Sequence, residues 1–163
     1  MLKSKREKVI SLCLVVAFMV TIIPFAMFVT RADTEGINTA EPITIDLANQ
    51  NITNILLAEM VADGTIPQNT THLILSGNQI SDLAPLSGLT NLELLNLANN
   101  QIADLSPLVE LDNLETLWLA RNQISDISPL SDLINLQKLG LEFNRVTDIS
   151  PLSSCSSTIY PST

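Results

Sequence analysis

Three sets of residues in this chain have side chains able to do chemistry. Asp82, Asp104, Asp126 and Asp148 form a column of carboxylates spaced 22 residues apart, and Asn78, Asn100, Asn122 and Asn144 form a column of amides at the same spacing. The third set is sparse: a single His (His72), a single Trp (Trp118) and, past residue 32, only Arg121, Lys138 and Arg145 as basic residues. Carboxylates in a row could bind calcium or trade protons, and amides in a row could line an active site. Repetition argues against both. The carboxylates lie in repeat columns, which explains them without general acid–base work. Single carboxylates a coil apart also lack the roughly six to eight oxygens that calcium takes. The Asp column is therefore expected to cap short helical turns, with Pro85, Pro107, Pro129 and Pro151 near the start of each turn. The Asn column is expected to satisfy buried backbone groups at a sharp bend.

Nothing else points to catalysis. The chain has no Gly-rich phosphate loop, no Gly-x-Ser-x-Gly and no His/Cys cluster with metal spacing, so neither enzyme activity, a cofactor nor a metal is expected. After Ala32 there are 16 acidic residues and three basic ones, a net charge of −13. Such a body disfavours nucleic acid and anionic membrane surfaces as partners.

The columns are held by a larger pattern. Leu-x-x-Leu-x-x-Leu-x-Leu-x-x-Asn-x-Ile-x-Asp-Leu-x-Pro-Leu-x-x runs through 89–110, 111–132 and 133–154, with an imperfect copy at 67–88 that misses at Pro67 and Thr70. Self-similarity of this kind marks a solenoid, in which each repeat buries its apolar side against its neighbours. Leu-x-Leu reads as a short strand with both leucines, such as Leu95 and Leu97, pointing inward. Stacked coils then give a parallel sheet on the concave face and a return path on the convex side. The fold class is α/β.

These residues resemble the leucine-rich repeat family. The 22-residue length with Asp126-Ile127-Ser128-Pro129-Leu130 is similar to the internalin-type subclass of bacterial surface proteins. The resemblance covers 42–154. It implies a helical N-terminal cap and adhesion to, or recognition of, another protein on a host or neighbouring cell.

The flanks read differently. Lys3, Lys5, Arg6 and Lys8 precede an uncharged run from Val9 to Val29 and then Thr30-Arg31-Ala32, a secretory signal over 1–32. An uncleaved membrane anchor, with the repeats outside, is the alternative. Residues 33–42 read as a linker and 43–66 as the cap, with a brief strand at 43–45. Its helix is placed over 51–63, N-capped by Asn51 and ended by Asp63-Gly64. At the other end, Cys155, Thr158 and Pro161 stand where a next copy needs leucines, so 155–163 reads as an unstructured tail. Cys155 is the only cysteine outside the signal, so no internal disulfide is possible. Leu139, Leu141, Ile149 and Leu152 would lie at an open end and could drive self-association. A truncated, non-functional fragment of a longer surface protein or enzyme is the alternative reading of the whole.

Function is assigned to the slots that vary. Trp118 is the leading partner-binding anchor, with Gly140 leaving space beside it in the next coil. Arg121, Lys138 and Arg145 are candidates for acidic partner groups, and Phe143, Leu94 and Asn96 complete the set. Acidic residues such as Glu93, Glu110, Asp112, Glu115 and Asp132 fall in convex or flank slots, so the concave face is expected to be basic and aromatic. Exposed Trp and Arg are enriched at protein-binding hot spots.

Overall fold

In the computed structural model, residues 42–153 and the backbone of 158–160 are described. The signal or anchor over 1–32 and all but the last residue of the expected linker lie outside the described residues. Among the described residues, six three-residue strands line up in chain order as one parallel sheet. They are β1 (Thr44–Asp46), β2 (His72–Ile74), β3 (Leu94–Asn96), β4 (Thr116–Trp118), β5 (Lys138–Gly140) and β6 (Thr158–Tyr160). The alternation within each strand follows from leucine spacing. Leu73, Leu95, Leu117 and Leu139 are fully buried, and so are Leu75, Leu97 and Leu119, with Leu141 nearly so. The residues between them face out.

Each return path is held by the Asp and Pro columns. Among the described residues, four 3-10 turns, Ala84–Leu86, Ser106–Leu108, Ser128–Leu130 and Ser150–Leu152, each carry a Pro near the start and bury their last leucine. The Asp caps each turn from one residue further out than expected. Asp104 Oδ1 accepts from the Ser106 N–H at 2.8 Å, and Asp82, Asp126 and Asp148 accept in the same way from residues 84, 128 and 150. The formal N-cap residue is the apolar one after it, such as Leu105, which has no side-chain bond to give. These N–H groups hold the Asp104, Asp126 and Asp148 carboxyls below the usual carboxylate range, aided by the Ser106, Ser128 and Ser150 hydroxyls.

The Asn column binds coil to coil. Asn100 Oδ1 accepts from the Ile80 N–H (3.0 Å), while Nδ2 donates to the carbonyls of Leu75 in the preceding coil (2.9 Å) and Leu97 in its own (3.0 Å). Asn122 repeats this on Ile102, Leu97 and Leu119. A second amide column runs along the return side: Asn91, Asn113 and Asn135 donate to the carbonyls of Gln68, Thr90 and Asp112.

The N-terminal cap differs from its expected form. It is a long first coil whose strand β1 pairs in register with β2, Ile45 opposite Leu73. Its helix α1 is Asn54–Ala62, with Thr53 rather than Asn51 as N-cap. The physical reason lies at Ile52, which is buried and gives its N–H to Asn78 Oδ1 at 2.9 Å. That bond holds the chain in the coil until Thr53. The helix then packs against the first 3-10 turn and buries Leu57.

The C-terminal expectation is also corrected. The segment 155–163 contains β6, which pairs with β5 so that Ile159 is in register with Leu139. The step is 20 residues from Lys138 to Thr158, not 22, which moves Ile159 out of the repeat's own leucine column. Leu139, Leu141 and Leu152 are buried rather than open. Of the four residues expected at an open end, Ile149 alone is exposed (59%), where its counterparts Leu83, Leu105 and Ile127 are 1% exposed. No helix among the described residues is long and apolar enough to cross a membrane.

Candidate functional site

The outward residues of the sheet form one continuous face because all neighbouring strands pair in register. Leu94 and Asn96 stand on β3, Trp118 on β4 and Lys138 on β5. Leu94, Asn96 and Trp118 are half-buried, and Lys138 is exposed. Asn96 is partly committed: its Oδ1 accepts from the Ala98 N–H at 3.1 Å. Trp118 is in register with Gly140, and its ring reaches across that glycine. A Cβ built at residue 140 would lie 2.5 Å from Trp118 Cε3 and 3.0 Å from Cζ3.

Arg121 and Phe143 sit beyond the strand ends, in the turn that leads to the Asn column. Both have a left-handed backbone, φ +58°. The same turn carries Gly77 and Asn99 in the two preceding coils, the residue types this conformation favours. The Arg121 guanidinium carbon lies 4.5 Å from the Phe143 ring centroid, within cation–π range. Phe143 is 55% exposed, and Arg145 two residues on is also exposed. Trp118, Arg121, Lys138, Phe143 and Arg145 thus belong to two consecutive coils, with Leu94 and Asn96 in the coil before.

The face is less uniformly basic than the sequence suggested. β1 extends it and adds Asp46 at the register position of Ile74. Glu142 closes on the other end, its Oε2 3.1 Å from the position a Cβ would take at Gly140. Glu93, placed at a flank, reaches to 3.9 Å from His72 Nε2. On the other side of that ring, His72 Nδ1 is 3.3 Å from Thr44 Oγ1. Hydroxyl, imidazole and carboxylate in a row have the outline of a nucleophilic relay. A separation of 3.9 Å is too long for a hydrogen bond, so this row has no continuous path for a proton. Sequence reasoning missed Thr44 and Asp46 as part of the face. The signal was Ile45-x-Leu47, a copy of Leu73-x-Leu75 at a step of 28 rather than 22.

Among the described residues no buried side-chain nitrogen or oxygen lacks a hydrogen-bond partner. The buried amides Asn78, Asn100 and Asn122 are occupied with backbone, and the exposed Asp column is bonded to the N–H groups of the 3-10 turns.

The family described as Leucine Rich repeats (2 copies) matches residues 71–110 and 112–154. The chain belongs to the leucine-rich repeat family. Among solved structures, internalin C2 from Listeria monocytogenes is 41% identical with a TM-score of 0.65, over 74% of this chain and 50% of its own. An internalin of the same organism, InlF, is 36% identical with a TM-score of 0.58, over 63% of this chain and 30% of its own. These likenesses make the leucine-rich repeats internalin-like. TLR13, solved in complex with ssRNA13, is 31% identical with a TM-score of 0.54, over 66% of this chain and 16% of its own. The chain spans about half the length of the internalin C2 chain and less of the others. No curated protein matches it.

Proposed function

We propose that this leucine-rich-repeat chain is a non-enzymatic protein-recognition module working outside the cell, with the sheet face as its contact surface and Trp118 as its anchor. The observation that carries this is Trp118 spread over Gly140 on an outward strand position. A large aromatic outside the core, held in place by a neighbour too small to displace it, has the character of a binding hot spot. Export follows from the basic and apolar pattern of residues 1–32.

A protein is favoured over an RNA partner by charge. The described coils carry acidic residues in every repeat against Arg121, Lys138 and Arg145 alone as basic ones. Nucleic-acid binding needs several phosphates neutralised by Lys and Arg. Size bounds the interaction. β2 to β5 with their following turns offer three or four outward residues each, fewer than the roughly 20–30 a side of a standard interface. This surface alone supports a weak or shared contact.

A photo-crosslinking residue placed at Thr116 on the sheet face, and separately at Asp112 on the return side, tests the reading. Capture of one surface protein from Thr116 but not Asp112 is expected, with affinity reduced by about 2 kcal/mol in Trp118→Ala. Equal capture from both faces, or equal affinity of the Trp118→Ala variant, would overturn it.

A further inference from the structure

Arg121 and Phe143 hold a backbone conformation that their side chains disfavour, at a position filled by Gly77 and Asn99 in earlier coils. Nothing in the repeat requires bulk there. What the pair gains is a stack, guanidinium over ring at 4.5 Å. Arg121 is exposed while its guanidinium carbon sits over the ring, so the side chain is held by a cation–π contact and still offers the N–H fork that matches a carboxylate. No carboxylate among the described residues lies within ion-pair distance of Arg121, Lys138 or Arg145; the imidazole of His72 is the group that approaches one, Glu93 at 3.9 Å. In a chain so rich in acidic groups, all the basic residues beyond 32 lie in two consecutive coils, and among the described residues none of them has an anion within ion-pair distance.

We propose that Arg121, braced on Phe143, is the receptor for a carboxylate in an acidic segment of the partner protein. Arg145 and Lys138 supply further contacts, and Trp118 takes an apolar residue of the same segment. This rests on the recognition reading above and names the chemistry of its ligand. Glu142 is the acidic group that shares this face, beside Gly140, and it makes no ion pair with Arg121. Carboxylates farther than about 8 Å are largely screened at physiological salt, so a ligand carboxylate in direct contact competes mainly with Glu142. A bidentate pair with Arg is also directional, which a distant field is not.

The probe is a synthetic ten-residue peptide alternating Glu and Leu, with a Gln–Leu twin and inorganic phosphate as comparisons, read on the side-chain Nε–H resonances of the full chain. The Glu peptide is expected to shift the Arg121 Nε–H and the Trp118 indole N–H together. Its affinity falls about tenfold for Arg121→Gln and for the Gln twin, the loss of a charge-assisted bond. Arg121→Lys keeps the charge, loses the fork, and stays weak. Thermal melting of each variant confirms that it is folded. Equal binding of the Glu and Gln peptides, full rescue by Lys, or an equal shift from phosphate at the same concentration would overturn the proposal. The two readings fail separately. A partner captured from Thr116 that binds Arg121→Gln as tightly as the parent removes the carboxylate receptor and leaves recognition standing. A Glu peptide that binds as described while Thr116 captures nothing does the reverse.

Discussion

The ring of Trp118 lies so close to Gly140 that a single added methyl would overlap it, 2.5 Å from Cε3. The two residues are register partners on β4 and β5, so the contact is set by the sheet itself. Gly140→Ala must lift the indole away. Because the ring is on the surface, the fold should lose only about 1 kcal/mol, the low end of an overpacking cost. The chain has a single Trp, so its fluorescence and near-ultraviolet circular dichroism report the move directly. A shifted emission with loss of the aromatic signal is expected, and partner affinity should fall as far as in Trp118→Ala. An unchanged spectrum would show that the ring is not seated on residue 140.

The Asn column should be graded along the array. Asn122 is buried and serves Ile102, Leu97 and Leu119. Asn122→Ala strands an N–H and at least one carbonyl away from water, costing about 1–3 kcal/mol. Asn144 makes the matching bonds to Ile124, Leu119 and Leu141, but it is only half-buried. Water can replace part of what Asn144→Ala removes, so its melting temperature should fall less than that of Asn122→Ala. Equal losses would mean that coil contacts, not solvent access, set the cost.

These columns were legible because a solenoid repeats one local solution, and one solution leaves one period in the sequence. Legibility stopped where the period changed. Ile45 and Leu47 copy Leu73 and Leu75, but the step of 28 residues makes room for α1 and hides the match. Ile52 looked like the first apolar residue of a helix, because Ile52, Ile55 and Leu56 have helical spacing. Its N–H was already claimed by Asn78, a contact between coils that spacing cannot reveal. At the other end, a shortened step put Ile159, not a residue in the leucine column, beside Leu139. The candidate site was legible in part. Strand alternation placed Leu94, Asn96, Trp118 and Lys138 outward, as found. Arg121 and Phe143 lie past the strand, where side-chain direction follows from backbone torsions. Gly77 and Asn99 in their column were the available sign of a left-handed turn.

The Asp column makes stability fall in acid. In Asp104, Asp126 and Asp148 the Ser N–H and hydroxyl favour the charged form, so each folded value lies below the unfolded one. The stabilisation is therefore complete above the unfolded value, about pH 3.9. It is lost as pH falls through the lower folded values. The triple variant Asp104→Asn, Asp126→Asn, Asp148→Asn keeps an oxygen for each Ser N–H and does not titrate. Its melting temperature should vary less than the parent's below about pH 4. Parallel curves for the two proteins in that range would show that these carboxyls are not the acid-sensitive groups.

The Arg121–Phe143 stack sets stability against recognition. A bulky side chain in the left-handed region costs about 1–2 kcal/mol, and an exposed cation–π contact returns about 0.5–1 kcal/mol. Asn tolerates that conformation, as Asn99 does two coils earlier with φ +57°. Phe143→Asn should therefore leave the melting temperature unchanged or raise it by a few degrees, although it removes a whole aromatic ring. An ordinary large-to-small change at a packed position would lower it. The same variant frees the Arg121 guanidinium to move, so its affinity for an acidic peptide should drop even as the fold holds. If Phe143→Asn instead melts well below the parent, the ring is supporting the last coil, and its exposure serves packing rather than a ligand.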